Sequence, residues 1–318
     1  MVWGCRLALQ VINYQESPPV EKEKLLSYLT TWRSRINRSL EEHFRDKGER
    51  FPQLKTAMTY SLLSGGKRIR PILTVACCEM FGSDGEHALP FACAVEMIHT
   101  FSLIHDDLPC MDNDDLRRGQ PTNHKVYGED IAVLAGDALH TECYALLTSK
   151  PARQAASDTT IVDIIALLTE TVGMDGMAGG QSLDLKLSPE ENKVEMLDFI
   201  NLQKTARFIA ASCRIGAMVA GAGEQDLQRL HEYGVKIGKA FQIVDDILDI
   251  TGDQNQTGKL SVREDHDERI IYPKLLGVDG CRTLASELVD EAKATLAPYG
   301  EKADILVGIA DFLLVRKH

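Results

Sequence analysis

The chain has 318 residues, of which 44% are hydrophobic and 26% charged, and this composition excludes a disordered or fibrous protein. Its net charge of −12 argues against a general surface for nucleic acid or anionic membranes, although a locally basic pocket could still bind a small anion. No uninterrupted apolar run approaches the roughly 18–20 residues of a membrane-spanning helix, so we expect no membrane insertion.

Apolar residues recur every three to four positions along most of the chain, and no segment shows the alternation of a convincing β-strand. Glycine and proline residues separate the helical stretches, and no long polar linker interrupts the series. Helices are predicted at residues 21–44, 53–63, 68–81, 86–107, 129–148, 158–178, 189–221, 224–251, 280–296 and 302–315. We therefore predict one all-α domain of about ten helices over residues 1–318, with residues 1–20 as an irregular extension.

The eight cysteines include no C-x-x-C pair and no zinc-binding spacing, and most lie in apolar helical stretches. This pattern favours reduced thiols in the core of a protein from a reducing compartment. The N-terminal residues contain a short apolar run but no clear small-residue cleavage site. We therefore expect no signal peptide and a cytoplasmic location.

Two clusters of aspartates adjoin helices that are otherwise apolar. The second cluster, Asp245, Asp246 and Asp249, has spacings of three and four residues, which predict carboxylates on one face of a helix. Like charges at this spacing repel each other, and the apolar neighbours make a solvated run of charges a poor interpretation. A bound cation would remove the repulsion.

The first cluster begins with Asp106 and Asp107 and continues to Asp112. Asp106 and Asp112 are separated by about 240° of helical rotation, so they can approach each other only if the helix is interrupted. Pro109 disfavours helix at the residue before it and allows the chain to loop back. Carboxylates without paired cysteines suit Mg²⁺ or Mn²⁺ better than Zn²⁺. One Asp-Asp pair could equally be a helix cap or a surface acid, but two such clusters predict a metal site.

Basic residues accompany both clusters, which suggests that a phosphate group completes the charge balance. They are Lys67 and Arg70 at a predicted helix start, Arg117 and Arg118 after the first cluster, Lys204 beside Thr205, and Lys259 after the second cluster. Any one of these pairs alone would more often be a solvated surface. Their coincidence with both aspartate clusters favours a diphosphate site.

With these motifs the chain resembles the trans-isoprenyl diphosphate synthases, the family of farnesyl and geranylgeranyl diphosphate synthases, over roughly residues 25–311. The matching segments are Gly65–Pro71, Ser102–Gly119, Gly136–Leu139, Gly179–Leu185, Lys204-Thr205 and Phe241–Asp249. The resemblance implies an isoprenoid synthase fold, in which helices surround a deep central cavity and the two aspartate motifs face each other at its mouth. It also implies a homodimer.

The resemblance further implies a role for each motif residue. The metal ligands would be Asp106, Asp107, Asp112, Asp245, Asp246 and Asp249, holding roughly three Mg²⁺ ions per active site, with Mn²⁺ as the alternative. The allylic diphosphate would contact Arg117, Lys204, Thr205, Gln242 and Lys259. Isopentenyl diphosphate would contact Lys67, Arg70, His99 and Arg118. Catalysis would depend on Asp106, Asp107, Asp112, Asp245, Asp246 and Lys204.

The implied reaction condenses isopentenyl diphosphate with dimethylallyl or geranyl diphosphate. Phe101 and Ser102 lie five and four residues before Asp106, where the growing chain should pass. In the family, an aromatic ring at this position together with a two-residue insertion in the first motif is typical of bacterial farnesyl (C15) synthases, so we predict that product and keep geranylgeranyl diphosphate (C20) as the alternative. Phe101 could also be an ordinary core residue. Two other classes remain open: a non-catalytic partner subunit and a terpene cyclase of the same fold.

The chain also departs from the family pattern. Where the family usually has a Gly-Lys-Asp element after Lys259, this chain has Val262, Arg263 and Glu264. Leu260 stands where a small polar residue is common, and Ala206 stands where glycine is common. The charge of the family element is kept at Arg263, and the changed residues beside it predict a different geometry where the site closes around the diphosphate.

Overall fold

A computed structural model describes residues 19–186, 193–251 and 270–315 of the chain. In chain order the helices are α1 (Pro19–Phe44), α2 (Pro52–Leu63), α3 (Ile69–Met80), α4 (Gly85–Asp106), α5 (Asn123–Tyr127), α6 (Glu129–Leu147), α7 (Lys150–Ala155), α8 (Asp158–Val172), α9 (Met177–Asp184), α10 (Val194–Asn201), α11 (Arg207–Val219), α12 (Glu224–Thr251), α13 (Tyr272–Leu296) and α14 (Asp304–Val315). A π-helical turn, Leu202–Ala206, joins α10 to α11, and a 3₁₀ segment, Ala297–Ala303, joins α13 to α14. The all-α prediction is confirmed.

Helix α4 lies at the centre of the fold, packed against α3 and α6, while α12 packs against α11 and α13. By length and mean hydropathy (1.3 over 18 residues), α4 is the one helix in the described ranges that could cross a membrane. However, 61% of that window is buried among the other helices, as in the core helix of a globular protein.

The helix α11 packs closely on both α3 and α12 because small residues line its contacts. A Cβ at Gly216 would overlap the carbonyl of Thr74 on α3, and a Cβ at Gly238 on α12 would lie 2.6 Å from the Cα of Ala206. Ala206 is fully buried at this crossing. These contacts fix the π-helical turn against α12, and the turn carries two of the predicted site residues.

Several predicted boundaries are wrong, each for a local reason. The predicted helix 158–178 ends at Val172, because the chain turns at Gly173 and Gly176 before α9 begins. The part of the predicted helix 189–221 that the structure describes is divided by the π-helical turn. The last long helix begins at Tyr272 instead of residue 280, with a kink at Gly277 (φ 69°) that apolar periodicity does not reveal. Residues 19 and 20, expected in an irregular extension, belong to α1.

A short antiparallel ribbon, absent from the sequence prediction, follows the first aspartate cluster. Leu116–Arg117 (β1) pairs with Gln120–Pro121 (β2). The two residues between them, Arg118 and Gly119, both have positive φ angles (53° and 75°), as in the tight turns that suit the twist of a hairpin. The turn therefore lets the side chains of the neighbouring residues Arg117 and Arg118 point in different directions near the end of α4.

Candidate active site

The first aspartate cluster forms where α4 ends. After Leu108 and Pro109 the chain turns back, so that the amide of Asp112 donates a hydrogen bond of 2.8 Å to the carbonyl of Asp106. The amide of Asn113, a residue with positive φ (53°), donates to the carbonyl of Leu108. The prediction that the chain loops at Pro109 and returns Asp112 to Asp106 is confirmed.

These carboxylates are crowded and partly removed from water. The pKa of Asp106 is raised to about 6, mainly by burial; Lys204 and Arg117 oppose the rise, and the negative charges of Asp112 and Asp107 add to it. A divalent cation beside Asp106 would favour its charged form, so the donor chemistry at this position fits a hard cation.

Asp107 is buried, and its carboxylate accepts hydrogen bonds from Arg117 of the ribbon. Nε of Arg117 donates at 2.8 Å to both carboxylate oxygens, and its guanidinium also lies 3.8 Å from Asp114. Burial raises the pKa of Asp107 although Arg117 opposes this. In this structure Arg117, which the resemblance assigned to the allylic diphosphate, thus binds and orients a predicted metal ligand.

The second cluster lies near the end of α12, and its members differ in their surroundings. Asp246 is buried and accepts hydrogen bonds from Nε2 of Gln242 (2.9 Å) and from the backbone amide of Tyr272 (3.1 Å). Asp245 is half-buried and Asp249 is exposed. All three residues lie within α12, where spacings of three and four keep them on one side of the helix, as predicted, although they differ in depth. Asp246 is the deepest and lies against the backbone amide at the start of α13.

The predicted basic group forms around an unusual turn before α3. Arg68 has a left-handed backbone (φ 55°) and is buried, and its guanidinium binds three acceptors: the Glu96 carboxylate, Oδ1 of Asn37 (2.9 Å) and the Leu62 carbonyl (2.6 Å). A left-handed conformation is strained for a residue other than glycine, so these three contacts hold the turn in place. The turn places Lys67 and Arg70 on either side of Arg68.

Arg70, His99 and Arg118 come together from α3, α4 and the ribbon. The pKa of Arg70 is lowered to about 10, mainly by burial, and the negative charges of Glu96 and Asp245 oppose this. The charge of Asp245 acting on Arg70 shows that the basic group lies within electrostatic range of the second aspartate cluster. Burial and the surrounding arginines, Arg70 first, lower the pKa of His99 well below its usual value, so its imidazole is neutral at pH 7.

Arg118 donates a hydrogen bond to the carbonyl of Gly65 across this group. Gly66 has a φ of 116°, and a Cβ on it would lie 2.8 Å from the Arg118 guanidinium. The two glycines of the first motif therefore allow the arginine of the ribbon to approach the backbone that precedes α3.

Lys204 and Thr205 connect the two clusters from the π-helical turn. Nζ of Lys204 lies 2.6 Å from Oδ2 of Asp184, and its charge also acts on Asp106. Oγ1 of Thr205 donates to Oε1 of Gln242 (3.3 Å), whose amide in turn donates to Asp246. The π-helical turn thus presents Lys204 toward the end of α4, where its charge acts on Asp106, and Thr205 toward α12. Lys259, Leu260 and the departure at 262–264 lie outside the described residues.

The candidate chain-length residues lie one turn before the first cluster. The Phe101 ring is half-buried, with its centroid 4.7 Å from that of His140 on α6 and 5.7 Å from that of His105. His140 is in turn 3.2 Å from the hydroxyl of Tyr144, and Oγ of Ser102 donates to the carbonyl of His99 (2.9 Å). A Cβ at Gly136 would overlap the His105 ring, so α6 can lie this close to α4 only with glycine there.

Within the ranges described, no three His, Cys, Asp or Glu side chains converge closely enough to hold an ion by themselves. Mg²⁺ usually binds through one or two carboxylates together with substrate phosphates and water, so this arrangement suits a cation that arrives with a diphosphate. The all-oxygen donor set and the raised pKa of Asp106 agree with that assignment.

Three residues of the site were missed by sequence reasoning: Glu96, His140 and Asp184. Asp184 lies in the motif Gly179–Leu185, which carries the resemblance but to which no role had been given. Glu96 is a lone acid among apolar residues of α4, and a buried acid there requires a cation. No local pattern distinguishes His140 from an ordinary helix residue.

Comparison with known proteins agrees with this geometry. The polyprenyl synthetase family model matches residues 51–289. The chain is 45% identical over 266 residues to a chloroplastic geranylgeranyl pyrophosphate synthase of Catharanthus roseus, covering 83% of this chain and 74% of that protein. It is 42% identical over 296 residues to a dimethylallyltranstransferase of Fischerella ambigua, covering 92% and 84%. A crystal structure of an FPP/GFPP synthase from Zymomonas mobilis superposes with a TM-score of 0.83 at 35% identity, covering 92% of this chain and 99% of that one.

Proposed function

The chain belongs to the polyprenyl synthetase family and is a prenyltransferase, and we propose that it condenses isopentenyl diphosphate with dimethylallyl or geranyl diphosphate to give (E,E)-farnesyl diphosphate and diphosphate. The observation that supports this most is the meeting of the two clusters at the π-helical turn, where the charge of Lys204 acts on Asp106 and Thr205 is connected through Gln242 to Asp246. It brings carboxylates and cations from α4, the π-helical turn and α12 to one site, as a diphosphate and its counter-ions require.

In this proposal Mg²⁺ ions would be held by Asp106, Asp107, Asp112, Asp245, Asp246 and Asp249. Bound there, they would neutralise charge on the departing diphosphate. Lys204 would donate to the same diphosphate, and Arg117 would keep the Asp107 carboxylate oriented.

The remaining steps concern the substrates and the walls of the site. The allylic C1–O bond breaks and the diphosphate leaves with the electron pair. The alkene of isopentenyl diphosphate attacks C1, and a proton from its C2 passes to the released diphosphate, to which family analogy assigns proton removal. Lys67, Arg70, His99 and Arg118 would hold the second diphosphate, and the neutral imidazole of His99 adds a hydrogen bond without further positive charge. The apolar walls exclude water, which would otherwise trap the cation as an alcohol.

The purified protein, given geranyl diphosphate, isopentenyl diphosphate and Mg²⁺, should release diphosphate and form a longer prenyl diphosphate. Absence of turnover with every allylic substrate would overturn the proposal. Consumption of isopentenyl diphosphate also separates it from the other two classes, because a terpene cyclase does not consume it and a non-catalytic subunit is inactive alone.

We propose the C15 product because the rings of Phe101 and His140 lie together one turn below the first cluster, where they can block a growing chain. The C20 product is a second candidate, favoured by the geranylgeranyl synthase names of several relatives. Sizing the product by chromatography decides between them.

The Phe101→Ala variant should lengthen the main product by at least one five-carbon unit, because the substitution removes the ring that would close the path of the tail. The exposed Phe199 on α10 offers a matched control, and Phe199→Ala should leave the product unchanged. An unaltered product from Phe101→Ala would show that Phe101 is an ordinary core residue. The homodimer and the cytoplasmic location stay predictions.

A further inference from the structure

Asn123, the first residue of α5, attaches the chain that follows the ribbon to helix α2. The residue is 2% exposed, and its Nδ2 donates hydrogen bonds of 2.8 Å to the carbonyl of Ala57 and to Oγ of Ser61. It follows Pro121, the last residue of the ribbon, by two positions. A buried amide that donates twice to one helix fixes its own segment against that helix, because breaking these bonds would leave buried polar groups unpaired.

Helix α2 and the residues after it contact the ribbon at two further places. The hydroxyl of Tyr60 donates a hydrogen bond of 2.8 Å to the carbonyl of Pro121. Just beyond the end of α2, the carbonyl of Gly65 accepts a hydrogen bond from the guanidinium of Arg118. Together with Asn123, these contacts align the ribbon with α2 and with the segment that leads into α3.

The side chain of Asn123 also shares a small cavity with the site. Asp107, Arg117 and Arg118 are among the other residues that line this cavity, which has about 20 Å³ open to the centre of a water molecule. About 10–15 Å³ is enough to hold one water. Oδ1 of Asn123 is buried and accepts no hydrogen bond from the described residues, so a water in this cavity would satisfy it. The amide therefore lies beside both arginines of the ribbon.

Of these two arginines, Arg118 depends more on the position of the ribbon. The carboxylate of Asp107 binds Arg117 directly. Arg118 is exposed, lies in a turn with a positive φ (53°), and donates to the backbone carbonyl of Gly65. A long, exposed side chain with so little support loses conformational freedom when it binds a ligand, and this cost rises if its backbone is also free to move.

We propose that Asn123 is a positioning residue, which fixes the ribbon on α2 so that Arg118 meets the diphosphate of isopentenyl diphosphate. This inference rests on the function proposed above. Without the amide, the ribbon can shift relative to α2, and isopentenyl diphosphate must then order Arg118 as it binds. Binding of this substrate weakens, while the groups around the allylic diphosphate stay in place.

The Asn123→Ala variant should raise KM for isopentenyl diphosphate by about fivefold and leave kcat within about twofold, because the substitution acts on substrate binding alone. KM for geranyl diphosphate should also stay within about twofold. The variant should melt a few degrees below the wild type, since two buried hydrogen bonds are lost. Tyr60→Phe removes a more exposed contact of the same ribbon, and it should raise KM for isopentenyl diphosphate by a smaller factor without endangering the fold.

A double-mutant cycle with Arg118→Met distinguishes positioning from a general loss of stability. Arg118→Met removes the guanidinium and should raise KM for isopentenyl diphosphate by about tenfold or more. If Asn123 acts through Arg118, adding Asn123→Ala to Arg118→Met should raise this KM by less than about twofold further. Thr59→Val is the control on α2, because the Thr59 hydroxyl donates to the Lys55 carbonyl within the helix, and this variant should keep the wild-type KM.

An unchanged KM for isopentenyl diphosphate in Asn123→Ala would overturn the inference. Additive effects of Asn123→Ala and Arg118→Met would overturn it as well, because the amide would then act independently of the arginine. A wild-type protein without turnover would instead refute the proposed function. Calorimetric titration of isopentenyl diphosphate into the wild type, the two single variants and the double variant would then still report whether Asn123 acts on binding through Arg118.

Discussion

At Asp106, burial and neighbouring charges act on one carboxylate in opposite directions, and burial is the larger influence. A rise of the pKa from 3.8 to about 6 corresponds to roughly 3 kcal/mol of unfavourable free energy for the charged form at neutral pH. The fold accepts this cost beside Lys204 and Arg117. The charged carboxylate of Asp106 thus lowers the stability of the ligand-free fold, and cations bound beside it would reduce this cost.

His43 on α1 predicts an acid-sensitive contribution to stability. Burial, together with the charge of Lys47, lowers the pKa of His43 to about 4, although Glu142 lies 2.8 Å away, because Lys47 binds the same carboxylate. The unfolded chain binds the proton near pH 6.5 and the folded chain only near pH 4, so the free energy of unfolding should fall by about 2 to 3 kcal/mol as pH decreases through that window.

The measurement is the urea midpoint of the wild type and of His43→Gln between pH 7 and pH 4. The variant should lose less stability than the wild type over this range, because glutamine takes up no proton. Parallel pH profiles for the two proteins would contradict the assignment.

At the scale of single elements, the turn before α3 depends on one buried ion pair. The side chains of Arg68 and Glu96 are 0% and 3% exposed, and the pair fixes the strained residue between Lys67 and Arg70. Removing one partner of a buried pair leaves an uncompensated charge, so Glu96→Gln should destabilise the protein by about 3–5 kcal/mol.

Urea unfolding tests this with an internal control. Glu86→Gln at the exposed pair Arg35–Glu86 should change stability by less than about 1 kcal/mol. The double variant Arg68→Met with Glu96→Met should recover part of the loss, since no charge is then left unpaired. Equal effects of the two Glu→Gln substitutions would refute the role assigned to Glu96.

The contact of the π-helical turn with α12 makes a second prediction. A Cβ on Gly238 would meet the backbone of Ala206, so Gly238→Ala should force the helices apart, lower stability by about 1–3 kcal/mol and reduce activity by moving Lys204 and Thr205. Gly280→Ala on α13 is the control, because its Cβ would meet only ordinary contact at 3.4 Å and should stabilise the helix slightly. Thermal unfolding and turnover of both variants give the comparison, and a fully stable, active Gly238→Ala protein would contradict it.

An element could be predicted from the sequence where residues within it or next to it determine its ends. The ends of α4 and α12 follow from apolar periodicity and from Pro109, and both agree with the structure to within about one residue. The π-helical turn around Lys204 could not be predicted in this way, because it lies against Gly180 and Gly238, which are distant in the chain. The partners of the site residues, such as His140 for Phe101, were unpredictable for the same reason.

For the whole molecule, the candidate site is the place where the early and late halves of the chain meet. Helices α3, α4 and the ribbon supply one part, and α9, the π-helical turn and α12 supply the other. The sequence predicted the membership of this site from its motifs, but the path of contacts through Asp184 and Gln242 needed the fold.

This arrangement predicts how ligands stabilise the protein. Inorganic diphosphate and Mg²⁺ together should raise the melting temperature by several degrees, because they bind the folded state only, with about 2.7 kcal/mol expected at one hundred times Kd. Either alone should do much less, since a lone anion meets the carboxylates and a lone cation lacks its phosphate ligands. Differential scanning fluorimetry without ligand, with diphosphate alone, with Mg²⁺ alone and with both is sufficient. A shift from Mg²⁺ alone equal to the shift from both would argue against a shared site.

One glycine sets the distance between α4 and α6. The imidazole ring of His105 on α4 lies directly against Gly136 on α6. One turn further along α6 is His140, whose ring contacts that of Phe101. A side chain at position 136 would overlap the His105 ring and push α6 away from α4, and this would move His140 away from Phe101. The placing of the two rings that we propose to stop the growing chain therefore depends partly on a residue that the chain itself would not contact.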